Sequence, residues 1–324
     1  MRPLLVAPAL VLAVSCGYPG DPLPPALNIP EKIADLRALQ RGDRIRIEFT
    51  IPPLTTEGLG LTKVSDVELR VGPGGAPPFD IERWAASATR PAVPASGPGA
   101  VSLDLPVSGW VGQELFLAVR TAGPSGRRSV WSAVEVLVAV APLPKPSDLR
   151  ALSDPAGVRL EWSGRPPFRV YRREAEAKEF ALLGTAPEGA YTDATAPFGK
   201  RFEYLVQSAI RAGAGEAESE LSDPVAITPT DTFPPAVPSG LAAIAGSGSI
   251  ELAWNRSTES DLGGYFVYRA EGDGELRKHT DRLPSPAFSD RAVAAGRRYR
   301  YAVTAVDAIG NESAASPPVE MVAP

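Results

Sequence analysis

An internal repeat constrains the fold of this chain more than any other feature of its sequence. A leucine is followed 13 residues later by a large aromatic residue in three places, which are Leu36 and Phe49, Leu149 and Trp162, and Leu241 and Trp254. Apolar and polar residues alternate just before each aromatic residue, and such alternation predicts a strand with one buried face. We therefore expect three copies of one β-unit, each with the aromatic residue in its core.

Each copy extends beyond this first pattern. A glycine precedes a second alternating strand and a serine begins a last apolar strand in all three copies, at Gly112 and Ser132, Gly199 and Ser222, and Gly296 and Ser316. Proline-rich joints separate the copies at residues 142–146 and 229–238. The signals predict domains over residues 29–141, 142–230 and 231–324, each of a size that suits an immunoglobulin-like β-sandwich.

The composition supports an all-β chain and excludes some functions. With 35 prolines and 30 glycines in 324 residues, short strands separated by turns are favoured over long helices. The hydrophobic fraction of 44% is that of a chain that folds. The net charge of −5 is spread evenly, so no basic segment is suited to nucleic-acid phosphates. Nucleic acid is therefore not an expected partner.

The second and third copies resemble fibronectin type III domains over residues 143–323. The resemblance rests on the tryptophan of strand B, a tyrosine of strand C and the tyrosine of strand F, which are Trp162, Tyr171 and Tyr204 in one copy and Trp254, Tyr268 and Tyr301 in the other. The first copy departs from this pattern, because Phe49 replaces the tryptophan and Leu117 replaces the strand-F tyrosine. These two residues are 68 positions apart, against 42 and 47 in the other copies. The resemblance implies three tandem fibronectin type III β-sandwiches, the first of them divergent.

The N-terminus has the features of a bacterial export signal. Arg2 precedes an apolar run over residues 4–14, which ends just before Cys16, the single cysteine of the chain. Residues 12–16 resemble the lipobox of bacterial lipoproteins, although Ala13 stands where leucine is usual. The resemblance implies a signal peptide over residues 1–15 and acylation of Cys16. The run is too short to span a bilayer, which needs about 20 apolar residues.

Residues 16–28 are rich in proline, which predicts a stiff, extended tether after the lipidated cysteine. The residue after the cysteine is Gly17 and not aspartate, which resembles the pattern of lipoproteins that are sorted to the outer membrane. The expected location is the bacterial cell envelope, with a lipid anchor in the outer membrane. The membrane is thus an expected partner.

The chain has few residues of the kinds that catalysis or metal binding requires. His279 is the single histidine, and neither it nor Cys16 has a second histidine or cysteine with which to form a zinc site. Three sandwiches and a tether account for the mature chain and leave no catalytic domain. We expect no enzymatic activity, no catalytic or metal-binding residues and no small-molecule cofactor.

Two short motifs are interpreted as turns. Residues 41–43 read Arg-Gly-Asp, the tripeptide of integrin ligands, but they fall between the first two strands, where Gly-Asp is common in hairpins. Residues 307–313 contain carboxylates that would suit calcium. Gly310 and Asn311 are a standard turn pair, however, and the ligands are fewer than an EF-hand supplies.

Three of the five tryptophans lie in the divergent first copy, at Trp84, Trp110 and Trp131. Exposed together, they would form a platform for stacking sugar rings or a contact for a protein partner. Buried, they would fill a larger and irregular core. Residues 88–100 are expected to form a long loop, a common place for a specific contact.

The sequence favours a non-catalytic cell-envelope lipoprotein whose modules bind a protein or carbohydrate partner. One alternative is a structural spacer or periplasmic scaffold without a specific ligand. Another is an accessory subunit of polysaccharide-processing machinery. Clustered, exposed tryptophans in the first copy would favour binding, and buried ones would favour the spacer.

Overall fold

The computed structural model describes residues 27–324, so the predicted signal peptide, Cys16 and most of the tether lie outside the described residues. The described residues form strands and one short helix, and the expected all-β fold class is confirmed. The chain divides into two compact units. The first contains the described residues up to Pro146 with residues 164–168 and 207–221, and the second contains residues 147–163, 169–206 and 222–324. The predicted domain boundaries do not coincide with these units and stay predictions.

The first repeat, in the first unit, forms two antiparallel sheets. Its elements are β1 (Arg37–Arg41), β2 (Arg44–Ile51), β3 (Asp66–Pro73), α1 (Ile81–Ser87), β4 (Gly99–Pro106), β5 (Glu114–Ala122) and β6 (Glu135–Val138). Strands β1, β2 and β4 pair in one sheet, and β3, β5 and β6 pair in the other. Alternate residues of β2, such as Ile47 and Phe49, are buried in one cluster with Leu69 and Leu117 of the facing sheet. Two sheets that enclose one core make a β-sandwich.

The second repeat has eight strands. They are β7 (Ser147–Asp154), β8 (Gly157–Ser163), β9 (Phe168–Glu174), β10 (Ala181–Ala186), β11 (Ala190–Asp193), β12 (Phe202–Ala212), β13 (Gly215–Glu218) and β14 (Val225–Ile227). Strand β8 lies between β11 and β7, and β12 pairs with β13 and β14 in its two halves. The second repeat thus has the same hairpin of first strands as the first repeat.

The third repeat lies in the second unit and is also a sandwich. Its strands are β15 (Ala242–Ala245), β16 (Ile250–Ala253), β17 (Leu262–Glu271), β18 (Arg277–Lys278), β19 (Ala287–Asp290), β20 (Arg298–Asp307) and β21 (Val319–Val322). One sheet has the order β15-β16-β19 and the other β18-β17-β20-β21. Both contribute to one core, in which Trp254 packs edge-on against Tyr265 with ring centroids 5.3 Å apart.

The aromatic residues that define the repeat lie where the sequence predicts. Phe49, Trp162 and Trp254 are 3%, 7% and 6% exposed. The strand-F positions Leu117, Tyr204 and Tyr301 are fully buried. Both observations confirm that the equal spacings mark equivalent core positions.

A pair of serines ends each repeat with the same hydrogen bonds. The pairs are Ser129 and Ser132, Ser219 and Ser222, and Ser313 and Ser316. Each hydroxyl accepts a backbone N–H of the neighbouring long strand at 2.9–3.1 Å and donates to the carbonyl of the next residue. Backbone groups that would be buried without a partner are satisfied in this way. The sequence pattern marked the second serine of each pair, and the first was missed.

The first unit also contains a strand pairing that joins two repeats. β13 pairs in parallel with β1, with Gln40 opposite Ala217 and Arg41 opposite Glu218. Arg41 donates two hydrogen bonds to Glu218 Oε2, at 3.0 and 3.2 Å. β1 would otherwise be an edge of its sheet, and the pairing covers that edge.

None of the helices in residues 27–324 is both long and apolar enough to cross a membrane.

Candidate binding site

The three candidate tryptophans of the first repeat are divided between two cores. Trp84 and Trp131 are 8% and 7% exposed and lie in a small cluster under α1, whereas Trp110 is half-buried against the main core. The indole N–H of Trp84 donates to Pro73 O at 2.9 Å, and that of Trp131 donates to Glu82 Oε1 at 2.9 Å. The three side chains therefore do not share an exposed face. They pack as expected for residues that fill a larger and irregular core.

Helix α1 forms part of the extra length of the first repeat. Asp80 caps its N-terminus, since Oδ1 accepts the N–H groups of Glu82 and Arg83 at 3.0 and 3.1 Å. The Arg120 guanidinium lies 4.0 Å from the ring centre of Trp131 and donates to Glu82. The inserted segment thus covers the outer face of the β3-β5-β6 sheet with its own small core.

The third repeat contains a buried group of one arginine, one aspartate and one tyrosine. Arg269 and Tyr301 each donate to Asp290 Oδ2 at 2.8 Å, and Asp290 is 1% exposed. Burial raises the pKa of this carboxyl, but the hydrogen bonds from Arg269 and Tyr301 outweigh it and hold the pKa below 3.8. Burial and the neighbouring Asp290 raise the pKa of the Tyr301 hydroxyl. The carboxylate is therefore ionised and fully engaged by its neighbours.

The second repeat has the same group at equivalent positions. Arg172 and Tyr204 each donate to Asp193 Oδ2 at 2.8 Å. Thr195 adds a hydrogen bond from its hydroxyl to Oδ1 at 2.7 Å. We refer to these two sets of residues as the Arg-Asp-Tyr groups.

The first repeat replaces every member of this group with an apolar residue. Val71 lies opposite Leu117 on the neighbouring strand, as Arg269 lies opposite Tyr301. Leu105 lies opposite Ile45, as Asp290 lies opposite Ile250. Loss of the tyrosine alone would leave a buried charge short of a donor, so the joint replacement is the stable one. The groups hold the sandwich together and do not form a reactive site.

His279 lies beside the Arg-Asp-Tyr group of the third repeat. Its Nε2 is 3.4 Å from Asp290 Oδ2, and its ring packs edge-on against Phe288. The sequence placed it in a loop or edge strand, and it directly follows the two-residue strand β18. Its position next to a carboxylate 11 residues later was not evident from the sequence.

Both short motifs form turns. Arg41 pairs with Arg44, so Gly42 and Asp43 are the two residues of the hairpin, and Gly42 has a φ of 55°. Asp307 Oδ1 accepts the N–H groups of residues 309, 310 and 311 at 2.6–3.0 Å. Both interpretations as turns are confirmed.

Three aspartates of the second unit come close together at the second of these turns. One carboxylate oxygen from each of Asp231, Asp261 and Asp307 lies within 4.8 Å of the others. Carboxylate oxygens suit a cation such as Ca²⁺, but Ca²⁺ takes six to eight oxygen ligands. Asp307 also accepts three backbone N–H groups and the side chain of Asn311. We therefore assign Asp307 to the turn.

The outer face of the first sheet carries a polar groove. A cavity of about 420 Å³ lies over β1, β2 and β4. It is lined by Asp35, Arg37, Glu48, Phe49, Thr50, Ala100, Val101 and Ser102. The face continues past Leu39 to Arg41, Arg44 and Arg46. A cavity of this size falls in the range of ligand pockets.

Two charges in this groove are free to meet a ligand. Arg37 and Glu48 lie directly opposite each other on β1 and β2, yet neither side chain makes a hydrogen bond or ion pair with any residue in the described range. Burial raises the pKa of Asp35, but the Thr50 N–H and the Arg37 charge outweigh it and lower that pKa. The groove therefore offers a guanidinium donor beside two acidic side chains, those of Asp35 and Glu48. The sequence showed these residues as an alternating strand, and only the pairing of β1 with β2 brings them together.

The strands and cores define the chain as tandem fibronectin type III-like β-sandwiches. No protein-family model matches it. It is 32% identical to exoglucanase B of Cellulomonas fimi over 197 residues, which are 53% of this chain and 17% of that protein. It is 38% identical to amylopullulanase of Thermoanaerobacterium saccharolyticum over 84 residues, which are 26% of this chain and 6% of that protein. It is 40% identical to chitinase Chi52 of Paenibacillus xylanexedens over 92 residues, or 28% of this chain and 16% of that protein. The chain thus spans less than a fifth of these curated relatives.

Among solved structures, the FN1–FN3 domains of chicken CNTN1 align with 91% of this chain and 99% of theirs, at 14% identity. The TM-score is 0.29, so the fold assignment rests on the strand pairing and cores described above.

Proposed function

We propose that this protein is a non-catalytic lipoprotein of the bacterial cell envelope, anchored through Cys16, whose sandwich modules bind a carbohydrate or protein partner. The observation that carries the binding role is the groove over β1, β2 and β4, where the side chains of Arg37 and Glu48 make no hydrogen bond or ion pair with residues 27–324. The sheet fixes the backbone positions of these two residues, and their unpaired polar atoms are available to a ligand. The partial relatives are named as enzymes that act on carbohydrates, which favours a glycan partner.

Two other roles keep specific support. The burial of Trp84 and Trp131 fits a spacer or periplasmic scaffold, because it removes the aromatic platform. Short matches to polysaccharide-degrading enzymes fit an accessory subunit of such machinery. The accessory role includes glycan binding, and the spacer does not.

Lipid attachment and outer-membrane location are tested with Cys16→Ala in the native host. Wild-type protein should incorporate labelled fatty acid and sediment with the outer membrane, and Cys16→Ala should do neither. Equal labelling of the two proteins would contradict the anchor. Ser15→Ala is the matched control, because it changes the neighbouring residue and keeps the thiol.

Binding is tested by a glycan array and a protein pull-down with the full chain in detergent. A specific polysaccharide or protein partner should be retained. Recovery of neither in both assays would leave the spacer as the function.

A further inference from the structure

The second repeat contains a groove with the same residues as the groove of the first. Its cavity of about 310 Å³ is lined by Asp148, Arg150, Glu161, Trp162 and Ser163. Each of these residues follows its counterpart by 113 positions, the counterparts being Asp35, Arg37, Glu48, Phe49 and Thr50. Three of the five residues are thus identical in the two repeats. The other two are similar, with tryptophan in place of phenylalanine and serine in place of threonine.

The pairing of strands brings the central arginine and glutamate together in the same way in both repeats. The outer aspartates differ, because Asp148 has a φ of 57° beside an irregularity of β7, whereas Asp35 accepts the Thr50 N–H. Arg150 lies opposite Glu161 on β7 and β8, as Arg37 lies opposite Glu48 on β1 and β2. The Arg150 side chain makes no hydrogen bond or ion pair with the residues that the structure covers. The Glu161 carboxylate accepts a hydrogen bond of 2.8 Å from Arg159. Both grooves therefore have an unengaged guanidinium beside a carboxylate.

The third repeat has uncharged residues at these positions and keeps the core. Ala242 and Ala253 occupy the positions of the arginine and the glutamate. Gly240 and Asn255 occupy those of the outer aspartate and of the threonine or serine. Trp254 is nevertheless buried as in the other repeats. The sandwich therefore folds without these charges, so folding alone does not account for their presence in two repeats.

We infer that each of the two grooves binds a segment of the same kind of ligand, a neutral glycan chain. Each groove has one guanidinium and two carboxylates, with two hydroxyls in the first groove and one in the second. It therefore offers donors and acceptors together and carries one more negative charge than positive. Anionic polymers are disfavoured by that balance. Sugar hydroxyls both donate and accept, and a polysaccharide repeats the same unit, so two equivalent sites on one chain gain avidity from it. The inference rests on the glycan partner of the proposed function and assigns the residues that hold it.

The experiment is native affinity electrophoresis of the full chain in detergent, in gels that contain pullulan, hydroxyethylcellulose or glycol chitin. Four variants are compared with the wild type: Arg37→Ala, Arg150→Ala, the double variant, and Arg277→Ala as a control that removes an exposed arginine of the third repeat. Wild type and control should be retarded alike by one of the polymers. Each single variant should bind more weakly, and the double variant should lose about tenfold or more in affinity. Circular dichroism melting should be nearly unchanged in all four, because the side chains of Arg37 and Arg150 make no hydrogen bond or ion pair with residues 27–324 and Arg277 is exposed.

A gain of binding tests the same inference from the other side. Ala242→Arg with Ala253→Glu places the cross-strand pair in the third repeat, and it should strengthen retardation by the polymer that the wild type binds. If the wild type is retarded and the double alanine variant is retarded equally, the grooves are not the sites, although glycan binding stands. If no polymer retards the wild type, this inference and the glycan partner both fail.

Discussion

The hydroxyl of Tyr301 donates a hydrogen bond of 2.8 Å to Asp290 inside the third sandwich, and Tyr204 does the same to Asp193 inside the second. Each carboxylate is buried and also bound by an arginine from the neighbouring strand. The first sandwich has neither the tyrosine nor the carboxylate, and an apolar core stands in its place. Two ways of filling the same position therefore occur in one chain.

Tyr301→Phe should destabilise the third repeat by about 1–3 kcal/mol, because Asp290 keeps its charge and loses one of its donors. Thermal melting followed by near-ultraviolet circular dichroism measures the change. Leu117→Met, at the equivalent position of the first repeat, changes shape without removing a hydrogen bond and should cost less. A loss no larger than that of Leu117→Met would show that the hydrogen bond to Asp290 contributes little to stability.

The stability of the second and third repeats should fall as the pH falls below about 4. The pKa values of Asp193 and Asp290 are below 3.8 in the folded chain and near that value when unfolded. In the interval between the two values the unfolded state binds more protons, so acid favours unfolding. Urea unfolding at pH 5 and pH 3 measures the effect. Asp290→Asn has no carboxyl to titrate there, so its loss between the two pH values should be smaller.

Ser316→Ala should destabilise the third repeat by about 1–3 kcal/mol, because the N–H of Val303 loses its buried acceptor. Ser285→Ala removes a hydroxyl from an exposed residue of the same repeat and should have little effect. Hydrogen exchange at Val303, followed by NMR, gives the local result. Unchanged protection of that amide would show that another group accepts its hydrogen bond.

Trp84→Ala should destabilise the first repeat by about 3–5 kcal/mol, since the indole of this α1 residue is buried and its N–H donates to the Pro73 carbonyl. Trp110→Ala should cost less because Trp110 is only half-buried. Urea unfolding of the two variants separates them. A Trp84→Ala protein as stable as the wild type would show that α1 does not depend on this side chain.

The sequence predicted the core of the fold better than its surface. The spacing from Leu241 to Trp254 reflects a core position, and core positions impose a period that is visible in the sequence alone. Helix α1 was missed because its seven residues are too few to show a helical period. The groove was missed for a different reason. Arg37 and Glu48 lie 11 positions apart on the two strands of a hairpin, and only the register of β1 and β2 shows that they are direct neighbours.

The parallel pairing of β13 with β1 also sets an order of events during synthesis. Arg41 and Glu218 are 177 residues apart, and chains fold from the N-terminus as they are made. The first sandwich is therefore complete in sequence long before the strand that covers its open edge exists. Until residues 215–218 are in place, β1 is an open strand edge at which another chain can pair.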